Sequence, residues 1–217
     1  MNQPFIRNHQ YNLIRKQVRL LQHTCQTVFD PKVVKSVRES VQLRIAEAFP
    51  NATGEQAAAL EAFLPYDKEE QFQSYLRSLE PYLEPFPPTT EAQLRKLFPK
   101  AKKLKLPDLE AVDFRRVSYL GWTDIATNKL FLVYPMDGKL AGVEGRFTPA
   151  NKKSTCFLCN KQEEVALFTA TAKSKPAGAS PDYYKAIGNY LCVDSKKCND
   201  NLTEIDALER FLADVLG

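Results

Sequence analysis

The chain has 217 residues, 44% hydrophobic, 26% charged and 11% aromatic. That is too apolar and aromatic to remain solvated, and it is enough for one large domain or two small ones. The formal net charge of +4 arises entirely after residue 84: residues 1–84 carry ten Lys/Arg and ten Asp/Glu, and residues 85–217 carry twenty and sixteen.

The first third reads as helices. Leu13, Ile14, Val18, Leu21, Cys25 and Val28 recur at spacings of three and four and predict a helix of about six turns. Asp30 can cap a second helix, with Pro31 in the first position, where a missing N–H is not needed. Val34, Val37, Val41, Ile45 and Phe49 continue the period as far as Pro50. Thr53 followed by Gln56 is a capping box before Leu60, Phe63 and Leu64. Asp67 and Glu70 repeat that signal before Phe72, Tyr75, Leu76, Leu79, Tyr82 and Leu83. Four amphipathic segments with short breaks predict an antiparallel helical bundle over residues 1–84.

Glu84-Pro85-Phe86-Pro87-Pro88 cannot continue a helix and reads as a stiff connector. A second domain is expected over 89–217, beginning with a short helix from Thr90 to Phe98. The cations Arg95, Lys96, Lys100, Lys102, Lys103 and Lys105 cluster at its end. They are either a solvated surface or a face that meets RNA or an acidic protein. Val117–Leu120 and Leu130–Tyr134 have strand composition, and Asp137-Gly138 is a two-residue hairpin turn leading into Leu140–Phe147.

Cysteine spacing carries the chemistry. Cys156 and Cys159 form a C-x2-C pair, and Cys192 and Cys198 form a C-x5-C pair 32 residues later. Closely paired cysteines in a reducing compartment point to a metal, and four thiolates suit tetrahedral zinc. The polar residues around the first pair suggest a knuckle between strands. Val165, Leu167 and Phe168, then Tyr190–Val193, suggest a hairpin. Cys198 falls near the start of a final helix whose stripe is Leu202, Ile205, Leu208, Phe211, Leu212 and Val215. Knuckle, hairpin and helix in that order predict a treble-clef zinc finger over about 152–217. The alternative is four buried, unpaired thiols. A four-cysteine site leaves no open position, so its one Zn2+ would be structural; it would also lower the effective charge by about 2. The fold class is therefore α+β, a helical bundle followed by a mixed α/β domain containing the finger.

Catalytic signatures are missing from the sequence: no G-x-x-x-x-G-K-[ST], no G-x-S-x-G and no H-E-x-x-H. His23 and Cys25 lie two apart on a helix and do not share a face. Cys25 is expected in the core, His9 and His23 at the surface, and Glu69-Glu70 and Glu163-Glu164 in solvent. The expectation is a protein that is not an enzyme. No run approaches the roughly 18 apolar residues of a spanning helix, and Met1–Arg7 lacks the pattern of a signal peptide, so a cytoplasmic location is expected.

The helical first part, the proline junction and the finger together resemble the elongation-factor-G-binding proteins, which include the FusB-type fusidic-acid-resistance proteins. The specific stretches are Cys156-Phe157-Leu158-Cys159, Gly188–Ser195 and Cys198-Asn199. The resemblance implies a non-catalytic protein that binds elongation factor G through the zinc-finger domain and promotes its release from ribosomes trapped by fusidic acid. Resistance determinants and chromosomal relatives share the pattern. The partner would be elongation factor G, with the ribosome as a second surface, no small-molecule substrate, no membrane and a monomeric chain. The family's binding surface uses aromatic and lysine side chains of this domain, which implies contacts from Phe157, Tyr184, Lys185, Tyr190 and Phe211, with Tyr183 beside them. Tyr190 and Phe211 could equally be core by their periodicity. The alternative function is direct ribosome or RNA binding through the 95–105 cluster.

Overall fold

The computed structural model describes residues 3–101, 103–174, 178, 180, 182 and 184–217; Lys102 and Tyr183 lie outside the described residues. The chain divides into two compact units, Met1–Glu84 and Pro85–Gly217.

The first unit is helical: α1 (Asn8–Thr27), α2 (Pro31–Glu47), α3 (Gly54–Glu61) and α4 (Glu69–Ser78), closed by a 3-10 turn at Glu80–Tyr82. The local signals act as their chemistry requires. The Asp30 carboxylate accepts from the Lys32 N–H, and Thr53 and Gln56 exchange the two hydrogen bonds of a capping box. At α4 the cap differs from expectation. The Gln71 side chain accepts from the N–H groups of Asp67 (3.2 Å) and Lys68 (3.0 Å), so the reach is backward from the first turn. The apolar stripes meet in one core that includes Ile14, Val18, Leu21, Val41, Ile45, Phe63, Phe72 and Tyr75. Cys25 is half-buried against this core, with the Arg38 guanidinium 3.7 Å from its sulfur. The ends of the unit are tied together, because Phe5 and Ile6 donate to the Tyr82 carbonyl and Glu84 donates to that of Ile6.

The second unit begins with the prolines themselves. Phe86 is buried and donates its N–H to the Phe114 carbonyl (2.8 Å), so the proline segment is anchored to this unit at Phe86 while Pro85, Pro87 and Pro88 stay exposed. After α5 (Glu91–Leu97), capped by Thr90 and Gln93, comes a 3-10 turn at Phe114–Arg116. The chain then forms an antiparallel sheet in sequence order: β1 (Leu120–Asp124), β2 (Lys129–Met136), β3 (Lys139–Thr155), β4 (Gln162–Thr171) and β5 (Ala186–Cys192). Asp137 and Gly138 both have positive φ, 49° and 74°, the requirement of the tight hairpin turn between β2 and β3. Leu130–Tyr134 is buried at every position because this strand is covered on both faces. Phe131 and Val133 face a cluster with Phe98, Leu104 and Trp122, whereas Leu130, Leu132 and Tyr134 join the larger core under α7 (Asp206–Leu216).

Two sequence expectations are corrected here. The strand predicted from Val117 starts at Leu120, because the Asn199 side chain takes the N–H groups of Ser118 (2.7 Å) and Tyr119 (3.2 Å). The single final helix is two. α6 (Ser195–Asn201) carries Cys198 and ends where Asn201 Nδ2 donates to the Lys197 carbonyl (2.9 Å); α7 carries the apolar stripe from Leu208 to Val215. Asn199-Asp200-Asn201 is a run of weak helix formers, whose side chains compete for backbone hydrogen bonds.

Candidate metal centre

Three elements deliver the cysteines. β3 ends at Thr155 and the chain turns through Cys156–Cys159 before β4. The turn is set by backbone hydrogen bonds, with Cys156 N–H donating to the Lys161 carbonyl and Asn160 N–H to that of Cys156, both 2.9 Å. Asn160 adopts φ 53°, a left-handed conformation that asparagine tolerates better than most side chains. The knuckle is pinned to β5 by Phe157 N–H donating to the Tyr190 carbonyl (2.8 Å). Cys192 closes β5 opposite Val165. Asp194 then caps α6, its carboxylate accepting from the N–H groups of Lys196 and Lys197, and this first turn brings Cys198 to the cage.

All four cysteines are buried and none is in a disulfide. The Sγ atoms of Cys156 and Cys198 are 3.8 Å apart and those of Cys159 and Cys192 3.6 Å, with all four within 4.8 Å of one another. A tetrahedron with zinc–sulfur bonds of about 2.3 Å has edges of about 3.8 Å, so the donor set fits zinc in type and size. The four sulfurs perturb one another: the neighbouring sulfurs hold the Cys156 thiol far below its usual range and push that of Cys198 far above it. Four thiolates this close repel one another, and a divalent ion would offset the accumulated charge. The Tyr119 phenol, raised first by its burial and then by Cys198, stays neutral beside them.

The proposed contact residues divide. Phe157 is 38% exposed, its ring edge-on to Phe211 at 6.4 Å. Tyr184 is 73% exposed, Lys185 is exposed, and Tyr190 is 42% exposed. Tyr190 lies directly across from Leu167, another half-exposed apolar side chain, which the sequence marks only as part of a strand. Its signal was the alternation of β4, where Ala166 and Phe168 point inward. Phe211 is corrected: it is 2% exposed and packs on Phe168 at 5.6 Å, so it is core and offers no contact surface. Arg95, Lys96, Lys100, Lys103 and Lys105 are exposed, although Arg95 is engaged with Glu91 (3.6 Å) and the Leu104 carbonyl (3.4 Å). His23 is exposed and His9 half-buried. Sequence reasoning also missed the structural part played by Tyr119 and Asn199, though the second stands beside a ligand.

Knuckle, hairpin and capped helix around four convergent thiols define an α+β protein with a treble-clef finger that holds one structural zinc. Residues 96–211 match the family described as FBP C-terminal treble-clef zinc-finger, and residues 5–87 match that described as Elongation factor G-binding protein, N-terminal. The chain belongs to the elongation factor G-binding protein family. Among solved structures it is similar to that of the fusidic acid resistance protein FusC, with a TM-score of 0.79 and 27% identity, covering 97% of each chain. No curated protein matches it in sequence. No helix among the described residues is long and apolar enough to cross a membrane.

Proposed function

We propose that this protein binds elongation factor G through its zinc-finger unit and promotes release of the factor from the ribosome, including complexes stalled by fusidic acid. The observation that carries the reading is the likeness to FusC over nearly the whole of both chains, joined to family matches in both units. The chemistry agrees. A four-sulfur cage fills zinc's tetrahedron and leaves no position for a substrate or an activated water, so the metal shapes a surface and drives no reaction. Release needs only differential binding, because a partner that prefers the free conformation of the factor draws the equilibrium toward it. The protein then acts as a monomeric, non-catalytic cytoplasmic partner, with fusidic acid resistance as the cellular consequence.

The contact surface is Phe157, Tyr184, Lys185 and Tyr190, the exposed aromatics and cation gathered around the knuckle and β5. Aromatic side chains dominate interface energetics, and the centre of a patch outweighs its rim. Calorimetric titration of purified elongation factor G, with no ribosome present, is expected to give a micromolar or tighter complex. Tyr190→Ala is expected to weaken it by about tenfold or more while retaining zinc. No complex with the wild-type chain would sink the proposal. An ionic-strength series separates it from RNA binding through Arg95–Lys105: an aromatic-centred interface loses little affinity with salt, whereas phosphate binding weakens steeply.

A further inference from the structure

β5 is the last strand of the sheet, with β4 on one side and, among the described residues, no strand on the other. Its pairing fixes which backbone groups face that open side. The Lys185 carbonyl accepts from Ala172 N–H, and Val193 N–H donates to the Glu164 carbonyl, so the odd-numbered residues from 185 to 193 turn their backbone groups toward β4. The even-numbered ones, Ala186, Gly188 and Tyr190, turn theirs outward. The Tyr190 carbonyl shows this directly, because it accepts from the Phe157 N–H of the knuckle (2.8 Å). Among the described residues, nothing pairs with the N–H and carbonyl of Ala186 and Gly188 or with the Tyr190 N–H. All three residues are exposed, and a Cβ on Gly188 would meet only atoms of β4. A row of outward donors and acceptors on an exposed edge is a template for another strand.

We infer that the open edge of β5 takes up an extended segment of the partner as a sixth strand, hydrogen-bonded to Ala186, Gly188 and Tyr190; that the partner is elongation factor G rests on the proposed function. The knuckle sets the end of the berth, since Phe157 already holds the Tyr190 carbonyl. It also argues against a second copy of this chain. Two β5 edges paired antiparallel about Gly188 would set Tyr190 of each against Ala186 of the other. Each Ala186 N–H would then need the carbonyl that Phe157 holds, so both ends of the ladder would be blocked. A foreign segment meets a knuckle at one end only. Alternation along the strands states what that segment carries. On the outer face it runs beside Gly188 and Tyr190, next to Leu167 of β4, and an apolar side chain fits there. On the other face Lys185 stands exposed at the open end and suits a carboxylate. Main-chain bonds then supply affinity, and the alternating side chains supply selectivity.

The test uses the zinc-loaded full chain and purified elongation factor G, with hydrogen exchange read at single amides by NMR. In the chain alone, the amides of Ala186, Gly188 and Tyr190 should exchange fast and those of Ile187, Asn189 and Leu191 slowly. The complex should protect the first three as well. Gly188→Pro removes one outward donor and spares the β4 ladder, because an edge strand tolerates proline where its N–H faces solvent. It is expected to weaken the complex about tenfold or more. Gly188→Ala keeps the donor and should bind like the wild type. Should Gly188→Pro fail to fold, the exchange pattern of the wild-type complex decides. A wild-type complex in which the three amides still exchange fast, or full affinity in folded Gly188→Pro, would overturn the added strand and leave the partner standing. No complex with the wild-type chain would overturn the partner, and this inference with it. Self-association that protects the same amides without the factor would give the edge to a second copy and overturn it equally.

Discussion

The two units reach stability by opposite routes. Met1–Glu84 is built largely from local signals, namely stripes of period 3.6, caps made within three residues and a core of successive helices, closed by a long-range tie between Phe5–Ile6 and Tyr82–Glu84. Pro85–Gly217 depends on distant pairings. Its sheet is long and antiparallel, its start is held by Asn199 some 80 residues onward, and its second half converges on four sulfurs drawn from the β3–β4 turn, β5 and α6. The comparison teaches where a metal is needed. A helical unit can rely on its own periodicity, whereas a small hairpin-and-helix finger gains its organising free energy from ligation.

The strongest way to break the comparison is to remove zinc. Chelation, or Cys156→Ser, is expected to cost several kcal/mol in the second unit, since structural zinc binding is worth of order 10 kcal/mol in isolated fingers. Hydrogen exchange should then collapse around α6, β5 and the knuckle while α1–α4 keep their protection. Metal analysis should find one zinc per wild-type chain. Absence of the metal together with unaffected folding in Cys156→Ser would remove the finger from the account.

Core truncation comes next. Phe72→Ala, at a fully buried site in the helical unit, should destabilise that unit by about 3–5 kcal/mol, and Phe211→Ala should do the same to the second. Urea unfolding followed with probes in each unit reads which one responds. A Phe211→Ala variant of wild-type stability would return that ring to the contact surface.

Alkaline pH probes the helical unit more gently. Burial, and then Tyr66 and Tyr11, raise the Tyr75 phenol well above its ordinary value, and its hydroxyl donates to the Leu60 carbonyl at 2.6 Å. The folded state therefore holds this proton after the unfolded chain has released it. Its contribution is complete below about pH 10 and declines above that, where ionisation favours the unfolded chain. Urea midpoints measured from pH 8 to 11 should fall at the alkaline end, and Tyr75→Phe should flatten that slope. The smallest effect is at a cap: Thr53→Ala removes one acceptor at the start of α3 and should cost about 1 kcal/mol, readable as a shift in the same urea midpoint.

These differences also explain what could be read in advance. The helices, the Asp30 and Thr53 caps and the Asp137-Gly138 turn depend on neighbours within four residues, and each stands where composition put it. The four ligands were legible because zinc chemistry restricts both residue type and spacing. Val117–Tyr119 misled because β-branched and aromatic residues suit a strand, yet the N–H groups of Ser118 and Tyr119 were claimed by a side chain far along the chain. The connector misled for a similar reason: prolines exclude a helix, but nothing in them reveals that Phe86 has a buried seat. Phe211 and Tyr190 are both aromatic residues near the cage, and only the packing of α7 on β4 separates a core ring from an exposed one.

The sequence by itself determined the helical character of the first unit, the chemical nature of the metal site and the order of knuckle, hairpin and helix. These follow from backbone geometry and ligand chemistry, which act over a few residues. Tertiary structure decided which aromatic side chains remain outside, where β1 begins, where the final helix breaks and that Asn199 clasps Ser118 and Tyr119. Those outcomes depend on which distant groups compete for the same hydrogen bond or the same apolar space, and that competition is resolved only when the chain is folded.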